Sequence, residues 1–127
     1  MKEWENYLQD GIKLHKAASG KNGKPSKFEP TIRYNLFAMA LEKNIMAILN
    51  RYNDLPENHT FSDLVFAVSK YVQLEPELKN EILELERAQS ICSIYDYERK
   101  TPTSETVERL DLVTRRLQLL AQNVCNS

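Results

Sequence analysis

Arg87 stands about two helical turns before a Tyr95-Asp96-Tyr97 cluster, and between them lie Cys92, Ser93 and Ile94 but no histidine. An arginine presents paired N–H donors that suit a phosphate and can stabilise charge developing on it. Metal-independent cleavage of RNA also needs a group that takes a proton near neutral pH, a task for which histidine is suited. Cys92, Ser93 and Ile94 offer no such group without a partner. The phenol of Tyr95, with an ordinary pKa of about 10, can donate a hydrogen bond but is a poor base at neutral pH. On its own helix Arg87 has Leu83 at i−4 and Ile91 at i+4, so its nearest acid on that face is Glu84, with Asp96 further along. An ordinary ion pair is therefore the plain alternative to a ligand contact. Tyr95, Asp96 and Tyr97 read most simply as a helix-end cluster that packs and caps.

Two further groups could carry chemistry. His59 falls at the start of a helix, where a neutral imidazole can accept a backbone N–H. His15 lies on the apolar side of the first helix and reads as packed. Lys13, Lys16, Lys21, Lys24 and Lys27 crowd a stretch with no acid between Asp10 and Glu29. Such a patch can attract phosphates, although a solvated linker is the simpler reading. Gly20-Lys21-Asn22-Gly23 has the form of an RNA-clamping loop without the α/β setting that loop requires. Cys92 and Cys125 form no spaced set with the two histidines, so no zinc site and no cofactor is expected, and the thiols read as reduced. A disulfide would require the fold to bring them together.

The elements that must position these residues are helical. At 127 residues the chain has one domain's length, spanning 1–127. A net charge of −1 excludes a global attraction for nucleic acid or anionic membranes, so any such binding must be local. The N-terminus lacks the layout of a signal peptide, and no run approaches the ~20 apolar residues needed to span a bilayer. A cytoplasmic protein is expected. Three glycines and no strand-length alternation give an all-α reading. The spacing predicts helix 1 over Trp4 to Ala18, then a flexible Lys/Gly-rich linker over 19–30. Helix 2 is predicted over Thr31 to Tyr52, helix 3 over Thr60 to Val72 with Thr60 as N-cap and Asp63 reaching back, and helix 4 from Pro76. Helix 5 follows Arg99-Lys100-Thr101-Pro102-Thr103-Ser104. Helix 2 is apolar well past one stripe, which places it at the centre and suggests that part of it stays uncovered. An up-down bundle of about five helices is expected.

Several stretches resemble the HEPN family of helical domains. Ala40-Leu41-Glu42-Lys43-Asn44-Ile45-Met46-Ala47 is similar to the family's A-x-E-K-x-x-K-A pattern, with Met46 where a second lysine is common. His59 to Leu64 resembles its short His-x-x-x-Asp-Leu start to helix 3. Leu78 to Gln89 resembles its leucine-rich helix bearing the arginine. The likeness covers Tyr34 to Leu120, with helix 1 matching loosely. Nuclease members carry a histidine after four to six residues beyond that arginine, set across a symmetric dimer, and Cys92, Ser93 and Ile94 hold those positions here. If Ser93 aligns with that histidine, Tyr95 keeps the place of a tyrosine found in some members. The resemblance thus implies a non-catalytic HEPN-like binding module, a homodimer through helices 2 and 4, with Arg87, Tyr95, Asp96 and His59 as candidate ligand contacts. It also implies a nucleotide, nucleic-acid or nucleotidyltransferase-type protein partner. The competing expectation is a ribonuclease or nucleotide-modifying enzyme that uses Arg87 with Tyr95 or His59.

Overall fold

The computed structural model describes residues 2–20, 26–95 and 101–126, with the backbone alone for 89–95. Five helices follow in order: α1 (Glu3–Ser19), α2 (Pro30–Arg51), α3 (Phe61–Val68), α4 (Pro76–Tyr95) and α5 (Ser104–Cys125). No strand occurs among the described residues. No helix among them is long and apolar enough to cross a membrane.

Several helix ends have a local chemical cause. Pro30 opens α2 at a position where a missing N–H removes no helical bond. The far end of α2 closes in a Schellman arrangement. Asn53 takes a positive φ of 59°, its N–H donates to the Asn50 carbonyl at 3.0 Å, and the Asp54 N–H donates to the Leu49 carbonyl at 2.9 Å. Thr60 caps α3 as its spacing to Asp63 predicts. Its hydroxyl oxygen accepts from the Asp63 N–H at 3.1 Å and donates to the Asp63 carboxylate at 2.6 Å. Thr103 caps α5 in the same way, accepting from the Thr106 N–H at 3.1 Å.

Helix α3 is shorter than its apolar pattern suggests. It stops at Val68 rather than running to Val72. The Ser69 hydroxyl donates back to the Val65 carbonyl at 2.6 Å, and turn bonds carry the chain on to Val72. Tyr71 then stacks on Tyr52 with ring centroids 4.7 Å apart, and its hydroxyl donates to Asp54 at 2.6 Å. These contacts fasten the end of α3 to the end of α2.

The core lies around α2, which packs against α1, α3 and α5, while α4 packs on α3 and α5. Phe37, Leu41, Ile45, Ile48 and Leu49 are fully buried with Leu64, Ile82, Leu85, Leu110 and Leu117. Helix α1 runs antiparallel to α2: the Arg33 Nε donates to the Ala18 carbonyl at 3.0 Å at one end, and the Asn50 amide donates to Glu3 at 3.1 Å at the other. The wide apolar surface of α2 is taken up largely within the chain. Ala40, Leu41 and Asn44 to Leu49 are buried, and Met39 at 46% and Ile32 at 43% exposure are the large apolar side chains left open on that helix.

Candidate functional site

The start of α3 collects the residues with the most chemistry. His59, just before the cap, places Nδ1 2.7 Å from the Glu42 carboxylate of α2 and Nε2 3.2 Å from the Pro56 carbonyl. Both neighbours are acceptors, and among the described residues no backbone N–H donates to the ring as the sequence suggested. Three residues on, the Ser62 N–H donates to Glu86 of α4 at 2.7 Å and the Ser62 hydroxyl donates to the same carboxylate at 3.0 Å. A carboxylate at this position satisfies a free N–H of the first turn and complements the positive end of the helix. Glu42 and Glu86 thus tie one short helix to α2 and to α4.

Arg87 follows Glu86 on α4 and is exposed. Glu84, its expected partner, lies instead 3.6 Å from Arg109 of α5, which also bonds Glu81 at 2.5 Å. Among the described residues, no ion pair forms to Arg87. The backbone of Tyr95 ends α4; its side chain, and the whole of Asp96, lie outside the described residues. The structure therefore brings His59 and the turn that carries Arg87 to the same helix terminus, and says nothing of Tyr95 or Asp96 there. Of the lysine patch, Lys13 and Lys16 are exposed on α1 and Lys27 is exposed after it. Lys21 and Lys24 lie outside the described residues.

A second cluster went unread in the sequence. His15 of α1 places Nε2 2.7 Å from Asp111 of α5, and Arg115 donates to the same carboxylate through Nε at 2.9 Å. His15 is packed, as expected, with its ring 5.3 Å from that of Phe37. Burial alone would raise Asp111, but the bond from His15 and the charge of Arg115 outweigh it and hold the carboxyl below its ordinary value. The Asp111–Arg115 spacing was legible as an i,i+4 pair, but the histidine 96 positions away was not.

Ser19 completes a serine–histidine–aspartate series, yet the geometry does not make a nucleophile. Its hydroxyl lies 2.8 Å from the His15 carbonyl and 3.4 Å from His15 Nδ1, so the proton goes to the carbonyl. Ser19 also ends α1, where the free backbone groups are carbonyls that repel a developing oxyanion. The cluster fastens α1 to α5.

Among the described residues, no group of three or more histidine, cysteine, aspartate or glutamate side chains could hold a metal ion. Comparison with protein-family models, with curated proteins and with solved structures finds no match.

Proposed function

We propose that this chain is a non-catalytic, HEPN-like binding module that acts as a cytoplasmic homodimer through its α2 and α4 side and uses Arg87 to hold an anionic ligand, a nucleotide or nucleic acid. One observation carries the reading: Arg87 offers an exposed guanidinium on α4, while both histidines are engaged by carboxylates, His15 by Asp111 and His59 by Glu42. An exposed guanidinium suits a phosphate, and among the described residues each histidine links separate segments through a carboxylate. Ile32 and Met39, exposed on α2, are apolar surface available to a second copy. A nucleotidyltransferase-type protein is the partner that the HEPN resemblance suggests.

The test is fluorescence anisotropy with labelled single-stranded RNA and with a labelled nucleoside triphosphate, read beside light scattering for the oligomeric state. Binding that weakens at least about tenfold in Arg87→Ala, with the denaturation midpoint unchanged and no cleavage, supports the module. No binding by a dimeric wild type would leave a structural adaptor.

A second reading, a ribonuclease or nucleotide-modifying enzyme using Arg87 with Tyr95 or His59, is favoured by one feature. His59 is exposed at the same α3 terminus that Glu86, the neighbour of Arg87, reaches. RNA cleavage lost in both Arg87→Ala and His59→Ala would establish it over the first.

A further inference from the structure

Asn44 is fully buried in the middle of α2, and among the described residues neither its amide nitrogen nor its amide oxygen has a hydrogen-bond partner. Buried amides are nearly always paired, because an orphaned one forfeits its bonds to water and gains nothing in return. Opposite it stands Gly11, the glycine of α1. A Cβ on Gly11 would lie 2.8 Å from the Asn44 Oδ1 and 3.5 Å from the Ala40 carbonyl. The first distance is closer than carbon and oxygen tolerate, so the amide oxygen fills the place where any other residue would put a side chain.

We infer that Asn44 and Gly11 form a register lock, in which the buried amide admits α1 at one axial position along α2. The buried residues of α1 are Leu8, Gly11 and Ala18, and Trp4 and Tyr7 pack partly against the core beside them. Sliding α1 by one turn brings Tyr7 or Leu8 opposite Asn44 from one side, and Leu14 or His15 from the other. Each carries a Cβ and collides. In the observed register His15 meets Asp111 and Arg33 meets the Ala18 carbonyl. A buried polar group that selects one alignment at the expense of stability is a known use of asparagine between packed helices.

Two experiments decide it. In a helix interior alanine is favoured over glycine by a factor of about five in the folding equilibrium constant. Gly11→Ala is expected to lower that constant at least about tenfold in the wild type and to raise it in an Asn44→Ala background, by urea denaturation. If Gly11→Ala alone does not fold, folding of the double variant gives the same answer, and failure of both refutes the contact. The second is Asn44→Ala alone, which removes the amide that collides with a Cβ in a shifted register. It is expected to fold with a second set of α1 amide resonances and a weakened nuclear Overhauser contact between the His15 and Phe37 rings. A single set of α1 resonances with that contact intact, or an effect of Gly11→Ala with the same sign in both backgrounds, overturns the lock.

Discussion

Asp111 is subject to opposing influences: burial that disfavours its charge, and His15 and Arg115, which together favour it more. Its folded pKa lies below the unfolded value of about 3.9, so the pairing contributes stability above that pH and loses it as the pH falls through the folded value. Asp111→Asn is therefore expected to destabilise the protein by about 1–2 kcal/mol at neutral pH. The gap to wild type should narrow in acid, below a pH of about 4. Urea denaturation across that range measures it, and a gap that persists in acid would assign the loss to packing. Cys125 illustrates the opposite case: burial pushes its thiol up, and the charge of Arg51 offsets only part of this. In a Cys92→Ser background, native protein should leave the Cys125 thiol unreactive toward a disulfide reagent at neutral pH, and unfolding should release it.

Helix α3 is short, at eight residues, and its first turn is held by two devices, the Thr60 cap and the Glu86 carboxylate from α4. A helix of that length does not persist alone, so these bonds and its apolar face must supply its stability. Thr60→Ala is expected to destabilise the protein by about 1 kcal/mol, read from the denaturant midpoint, with hydrogen exchange accelerated in α3 before any other helix. A uniform rise in exchange would mean that the cap acts on the whole bundle. The Thr60 cap was legible because a cap and its N3 partner lie three residues apart, within the reach of local spacing. Helical periodicity likewise located α1, α2, α4 and α5. The stop at Val68 was not legible, since Val72 keeps the apolar spacing and the chain leaves the helix through turn bonds that spacing does not encode. The site was legible only in part. His59 and Arg87 could be named from the sequence, but the bond from His59 to Glu42 could not. Whether Glu84 turns to Arg87 on its own helix or to Arg109 on α5 depends on which helices become neighbours. The Gly11–Asn44 contact was hidden for the same reason.

At the scale of the molecule, the helices are not held equally. Helix α2 is enclosed by α1, α3 and α5, whereas α4 rests on α3 and α5. Its fully or nearly buried described residues are Leu78, Ile82 and Leu85, about one per turn. Among the described residues, its polar ties are Arg109 to Glu81 and Glu84, Glu86 to Ser62, and the Tyr34 hydroxyl to the Leu85 carbonyl at 3.5 Å, with Arg116 bonded to Glu75, just before the helix, at 2.6 Å. Ion pairs at partly exposed positions each contribute little, about 0–1 kcal/mol, and salt screens them. Apolar burial around α2 does not weaken in the same way. The helix that carries Arg87 is therefore the one expected to open first, in a partial unfolding that leaves α2 and α5 closed. Native-state hydrogen exchange should show α4 opening at lower free energy than α2, and Arg109→Ala should lower the α4 value further by about 0.5–1 kcal/mol while leaving α2 unchanged. Raising the salt concentration in the wild type should move α4 in the same direction. If α4 and α2 instead exchange with a common free energy, the bundle opens as one unit, and the ion pairs that border the Arg87 face have no separate part in holding it.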